Sequence, residues 1–265
     1  MVRTGTPIYG QHFLIDNEVR NKILEEAKIN SYDNVIEIGP GHQALTKKII
    51  ESCSNFFAIE IDKEISKKLQ ELYSFNSSVK ILNEDARYFD PSLLDLEDFN
   101  YKLIGNLPYY SANFIVRNFL ESSVRPKELI IMVQKEVAES MSAKVGKMKL
   151  LSVATQFYGD VFKLFDVYPE SFSPPPKVIS SVVKIKVREN FLYNVDSSND
   201  FFKFVKSGFN SPRKKISNSL SFGLSVPKEQ IIELLKNTNV DPDSRPSLLT
   251  INDWIDLYER NKKTF

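Results

Sequence analysis

The sequence predicts an α/β protein, a doubly wound and mainly parallel sheet followed by a small all-helical domain. Three observations carry this. Short apolar runs alternate with stretches of helical periodicity from residue 33 to residue 187. The first run, residues 33–39 (DNVIEIG), enters a Gly39-Pro40-Gly41 turn and then a helix. Beyond about Arg188 the strand-like runs stop and only helical periodicity continues.

Each element has its own reason. Asp16 can cap a helix whose apolar face is Val19, Ile23 and Ala27. Residues 33–39 form a buried strand, and Leu45, Ile49 and Cys53 share one face of the next helix, which makes Cys53 a small core residue. Residues 56–62 read as a strand, followed by a helix carrying Ile65, Leu69 and Leu72. Residues 79–82 and 101–105 are the third and fourth strands, 114–120 is helical, and 129–133 is strongly strand-like. Val137 and Met141 mark another helix, and strands near 151–158, 162–168 and 178–187 close the sheet. Three helical faces then follow, on Phe201, Val205 and Phe209, on Ile231, Leu234 and Leu235, and on Ile251, Trp254, Ile255 and Tyr258. The polar segment 190–199 reads as a linker, so the expected domains are 1–188 and 189–265.

Composition narrows the function classes. The chain of 265 residues has a formal charge of +1, so any nucleic-acid surface must be local. One cysteine and two histidines exclude an internal disulfide and argue against a metal centre. No apolar signal core and no membrane-spanning run is found, and a cytoplasmic protein without a membrane partner is expected.

In an open parallel sheet, ligands bind beyond the carboxyl ends of the strands. Four such ends here are polar. The first closes on Gly39-Pro40-Gly41, which lets backbone approach a ligand but lacks the third glycine of a diphosphate cradle. The second ends in Glu60-Ile61-Asp62, an acid placed for ribose hydroxyls, and the third in Glu84-Asp85-Ala86, where Asp85 can accept from an adenine amine. The fourth is Asn106-Leu107-Pro108-Tyr109-Tyr110. Pro108 stiffens the exit from the strand and keeps Leu107 extended, so rigid acceptors stand beside an aromatic platform. Together these ends describe a nucleoside cofactor without a phosphate requirement. That favours S-adenosylmethionine, with NAD as the main competitor.

Residues 10–14 (GQHFL), 36–41 (IEIGPG), 58–62 (AIEID), 84–86 (EDA), 105–110 (GNLPYY) and 172–178 (FSPPPKV) resemble the KsgA-type small-subunit rRNA adenine N6,N6-dimethyltransferases. Large-subunit rRNA methylases share the catalytic half, but residues 209–220 (FNSPRKKISNSL) and the ending RPSLLTINDWIDL are similar to the small-subunit enzymes. The resemblance implies a Rossmann-like S-adenosylmethionine-dependent catalytic domain and a helical RNA-binding domain. It places Gln11, His12 and Leu14 beside the cofactor, Gly39 and Gly41 at its methionine end, Glu60 and Ile61 at its ribose, and Asp85 and Ala86 at its adenine. Asn106 would stand between cofactor and substrate, with Leu107 and Pro108 shaping the catalytic bend and Phe172 facing Tyr109 across the target base. The implied substrate is a pair of neighbouring adenosines near the 3′ end of small-subunit rRNA in the pre-30S particle, each methylated twice; a monomer is the default expectation.

Between Phe201 and Lys228 there is no acidic residue, while Lys203, Lys206, Arg213, Lys214 and Lys215 all occur, a pattern suited to RNA phosphates. The chain departs from the family pattern at His12, where asparagine is common, at Tyr110, usually asparagine, and in an N-terminal arm with only Arg3 as a basic residue. The alternatives are a large-subunit rRNA adenine methylase, an enzyme with a DNA-base or protein-amide substrate, and a ribosome-assembly factor whose methylation is incidental.

Overall fold

The computed structural model describes residues 12–189 and 198–264. Their described residues fall into two compact units, one from Met1–Ala138 and Asp160–Glu189, the other from Glu139–Gly159 and Asn190–Phe265. A single cut after residue 188 was expected; the structure instead assigns 139–159 to the second unit. The reason is packing. Phe157 stacks on Phe201 with centroids 4.9 Å apart, and the Gly146 N–H donates to the Ser247 carbonyl at 2.7 Å. Of the expected linker, residues 190–197 lie outside the described residues.

The first unit begins with β1 (Phe13–Leu14) and α1 (Asn17–Ala27). Then follow β2 (Asn34–Ile38), α2 (Thr46–Ile50), β3 (Asn55–Ile59), α3 (Lys63–Leu72), β4 (Val79–Leu82) and β5 (Tyr101–Asn106). After α4 (Ala112–Glu121) come β6 (Glu128–Gln134) and α5 (Lys135–Met141), whose last three residues belong to the second unit. The unit closes with β7 (Gly159–Val167), β8 (Phe172–Ser173) and β9 (Ser180–Val187). The main sheet has the order β4-β3-β2-β5-β6-β9-β7; β2 to β6 pair in parallel, and β9 lies antiparallel to β6. Strand order reverses beside β2, which places a crevice between the ends of β2 and β5. Covered on both faces, these strands read as continuous apolar runs: Val35, Ile36, Leu103, Ile104, Leu129 and Ile131 are fully buried.

Ionic groups fasten the opposite, amino ends of the strands. Buried Asp33 accepts from Lys127 at 2.6 Å and Lys102 at 3.0 Å, and Lys102 also donates to the carbonyls of Ala27 and Lys28 at 2.8 Å. Burial alone would raise the Asp33 pKa, but the two lysines outweigh it and the pKa is lowered.

Two local expectations fail. Residues 151–158 hold two β-branched and two aromatic residues, yet 151–156 fall in helix α6 (Leu150–Gln156). Ser152 Oγ accepts from the Lys149 N–H at 2.9 Å and donates to the Ser140 carbonyl at 2.5 Å, which starts a helix where propensity favoured a strand. Helix α2 stops before Cys53, which packs partly buried against the core, and burial pushes its thiol up to about 11. The antiparallel ribbon of β1 and β8, pairing Leu14 with Phe172, was not anticipated.

The second unit adds α7 (Ser198–Gly208), α8 (Ile216–Leu224), α9 (Lys228–Asn237) and α10 (Ile251–Thr264). Trp254 is fully buried at its centre and stacks on Phe209 at 5.3 Å. Among the described residues, no helix is long and apolar enough to cross a membrane, and no group of His, Cys, Asp or Glu could hold a metal ion.

Candidate active site

The parallel register puts Ile38 level with Ile59 on one side and Gly105 on the other, so the ends of β2, β3 and β5 open together. The cleft they form opens to solvent and is lined by residues from all three strand ends, Ile38 and Gly39, Ile59 and Glu60, and Asn106.

Its floor is the turn after β2. Gly39 and Gly41 have φ of +66° and +49°, and a Cβ on Gly41 would come within 3.0 Å of the Phe13 ring, so both positions favour glycine. The ring of Phe13 in turn stacks on His42 at 3.8 Å. Glu60, at the end of β3, is 2 % exposed and lines the cleft. Its carboxylate accepts from the N–H groups of Gly41 at 3.1 Å and Asp62 at 3.0 Å. Burial raises its pKa, and these bonds oppose the rise. The carboxylate is thus held in one orientation.

Along the wall stand Ile61, Asp85 and Ala86. Arg87 grips Asp85 through Nε at 3.0 Å to both oxygens and a terminal nitrogen at 2.5 Å, and this bonding lowers the Asp85 pKa. Among the described residues, the lining holds three acidic residues and no Lys or Arg. The acidic wall suits a cationic ligand.

At the end of β5, Asn106 Nδ2 donates to the His12 carbonyl at 2.9 Å, leaving Oδ1 as the acceptor end of the amide. Leu107 N–H is tied to the Met132 carbonyl at 3.0 Å, and the Pro108 carbonyl accepts from Ser111 and Ala112 at 3.0 and 2.9 Å. Helix α4 therefore starts directly on the bend and stiffens it. The His12 ring lies 5.8 Å from that of Tyr109, inclined by 28°, and its Nδ1 is 2.8 Å from the Pro174 carbonyl. The Tyr109 hydroxyl meets Ser180 Oγ at 2.7 Å; burial raises the Tyr109 pKa against that bond.

The profile of the family described as ribosomal RNA adenine dimethylase matches residues 3–263. The chain belongs to the ribosomal RNA adenine dimethylase family. A relative named ribosomal RNA small subunit methyltransferase A from Alkaliphilus oremlandii is 38 % identical over 251 residues, covering 92 % of this chain and 88 % of that protein. The protein of the same name from Dehalococcoides mccartyi strain CBDB1 is 37 % identical over 245 residues, 92 % and 84 % of the two chains. Among solved structures, a dimethyladenosine transferase from Plasmodium falciparum matches with a TM-score of 0.81 at 26 % identity, covering 96 % of this chain and 99 % of that one. The 23S rRNA methyltransferase ErmE shares the fold, with a TM-score of 0.73 at 23 % identity over 94 % and 98 % of the two chains.

Set against the family motifs, the cleft brings together His12, Gly39, Gly41, Glu60, Ile61, Asp85, Ala86, Asn106, Leu107, Pro108 and Tyr109. Gln11 lies outside the described residues. Two expected members stand elsewhere. Leu14 is 6 % exposed in the core and borders a neighbouring cavity with Glu37, because β1 turns its side chain inward. Phe172, expected to face Tyr109 across a base, is 3 % exposed in the same core cluster as Leu14, with which it pairs across the ribbon. The basic residues Lys203, Lys206, Arg213, Lys214 and Lys215 are all exposed in the second unit. Asp200 pairs with Lys203 and Asp243 with Lys215, so part of their charge is answered from outside the acid-free stretch.

The sequence assigned no role to Phe13, Glu84 or Ser111 in the lining, or to Ser180 behind Tyr109. It also passed over Glu37 as a buried acid. Burial pushes Glu37 up to about 8, and the charge of Glu60 adds to it. Glu37 Oε2 and Thr46 Oγ1 have no hydrogen-bond partner among the described residues.

Proposed function

We propose that the chain is an S-adenosylmethionine-dependent rRNA adenine N6,N6-dimethyltransferase. Its targets are two adjacent adenosines near the 3′ end of small-subunit (16S) rRNA, and it acts as a cytoplasmic monomer on the assembling pre-30S particle. The observation that carries this reading is the tethered Asn106 amide, standing in one cleft with Glu60 and Tyr109.

The residues present fit the cofactor. Glu60 accepts from the ribose hydroxyls with the lone pairs that Gly41 and Asp62 leave over, and His12 and the Gly39–Gly41 backbone enclose the methionine end. Ile61 and Ala86 flank the adenine, and Asp85, kept ionised by Arg87, accepts from its amine. When bound, S-adenosylmethionine supplies an electrophilic methyl group.

The chain's own groups prepare the acceptor. The N6 lone pair of adenine is delocalised into the ring and is a poor nucleophile. Asn106 Oδ1 and the Leu107 carbonyl each accept one N6–H bond, which favours a tetrahedral nitrogen with its lone pair turned toward the methyl. Tyr109 stacks on the ring and holds it in line, and positioning of this sort supplies several kcal/mol of barrier reduction. The same acceptors stabilise positive charge as it develops on nitrogen. No strong base is required, because the proton is acidic once the nitrogen is alkylated. Extruding the base costs a few kcal/mol, offset by stacking in the cleft. Lys203, Lys206, Arg213, Lys214 and Lys215 hold RNA phosphates.

Mapping of N6,N6-dimethyladenosine in rRNA from cells lacking the gene tests this. The two neighbouring marks near the small-subunit 3′ end should vanish and return with the gene. Marks that persist, or a loss confined to large-subunit rRNA, would overturn the assignment.

A further inference from the structure

Beside the cleft, the first unit leaves large aromatic rings in water: Tyr110 is 55 % exposed, Phe114 66 % and Tyr88 78 %. Scattered exposed side chains need no explanation, but adjacent ones do. Phe114 shares one face of α4 with Arg117, Asn118 and Glu121. Asn118 Nδ2 donates to the carbonyls of Phe89 at 2.7 Å and Ala86 at 3.2 Å, which bolts the turn carrying Arg87 and Tyr88 onto that face. Arg87, Tyr88, Phe114, Arg117, Asn118 and Glu121 line a shallow groove, with the Arg87 guanidinium 5.2 Å from the Tyr88 ring centroid.

The groove is continuous with the cleft. Asp85, a cleft residue, holds Arg87, a groove residue, and Tyr110 stands on the cleft rim within electrostatic reach of Arg87. Its charges are internally matched, Arg87 with Asp85 and Arg117 with Glu121 at 2.7 Å. Little net charge is left for phosphates, and the groove offers ring faces and guanidinium planes.

We propose that this groove seats unpaired ribonucleotides next to the target adenosine, with Tyr88 and Phe114 stacking on their bases. The inference rests on the adenosine-methylation reading. An RNA that surrenders one base to the cleft leaves neighbouring bases without a stacking partner, and aromatic and guanidinium planes replace it regardless of sequence.

The test uses Tyr88→Ala, Phe114→Ala and the double variant, all at exposed positions away from the reacting atoms. The affinity of the full chain for a fluorescent single-stranded oligoribonucleotide is measured alongside KM and kcat on unmethylated small-subunit particles. The double variant should weaken oligonucleotide binding and raise KM by about ten-fold or more, with an unchanged salt slope, while Tyr88→Trp retains affinity. S-Adenosylmethionine affinity and melting temperature should stay at wild-type values. Equal RNA affinity and KM in wild type and double variant would overturn the proposal. If the wild type methylated no small-subunit adenosine yet the double variant lost oligonucleotide binding, the methylation reading would fall and the RNA groove would stand.

Discussion

The Tyr109 hydroxyl lies 2.7 Å from Ser180 Oγ, so the ring beside the acceptor bend is held by the first residue of a different strand. Ser180 is fully buried and pairs with Gln134 across the antiparallel edge of β6. The bond anchors the hydroxyl end of the ring.

Removing either partner should therefore act through the other. Ser180→Ala and Tyr109→Phe should each slow single-turnover methylation by about two- to ten-fold, the worth of one net hydrogen bond. The double variant should be no slower than the worse single one, and cofactor affinity should not move. Additive losses would show that Ser180 acts independently.

Glu60 should matter to the cofactor before it matters to rate. Glu60→Ala should weaken S-adenosylmethionine binding by ten-fold or more in calorimetry, on the order of two lost charged hydrogen bonds. An unchanged dissociation constant would remove the ribose assignment.

Phe172 should report on stability. With its ring in the core, Phe172→Ala should cost about 3–5 kcal/mol in urea unfolding, and Phe172→Leu should restore much of it along with turnover. Wild-type stability with lost RNA affinity would return the ring to the target base.

The buried acid predicts a pH dependence of known sign. Glu37 has a folded pKa pushed up to about 8 from an ordinary value of 4.5. Both states are protonated at low pH. As pH rises past 4.5 the unfolded chain ionises while the folded one stays neutral, so stability falls until about 8. Urea titrations between these limits should show a loss of a few kcal/mol from this group, and Glu37→Gln should flatten the profile. An identical profile in the variant would contradict the shift.

Much of the sheet was legible because parallel strands advertise themselves as apolar runs closed by glycine or acid, and because side chains at strand ends need no tertiary partner to be placed. Asn106, Glu60 and Asp85, singled out that way, all line the one cleft. Phe172 was misplaced because a two-residue strand does not reveal which way its ring turns; its pairing with Leu14 decides that, over a separation of 158 residues. The α6 segment was misread since its helix starts on the Ser152 contacts with Lys149 and Ser140. Arg87 stood two residues from Asp85 in plain view, but its bidentate grip is visible only in three dimensions.

Single-turnover transfer from labelled S-adenosylmethionine to unmethylated small-subunit particles, by wild type and Asn106→Ala at saturating cofactor, addresses the acceptor bend itself. Wild type should place two methyl groups on each of two neighbouring adenosines, and the variant should be slower by orders of magnitude with cofactor affinity within a few-fold. Undiminished transfer by Asn106→Ala would contradict the account.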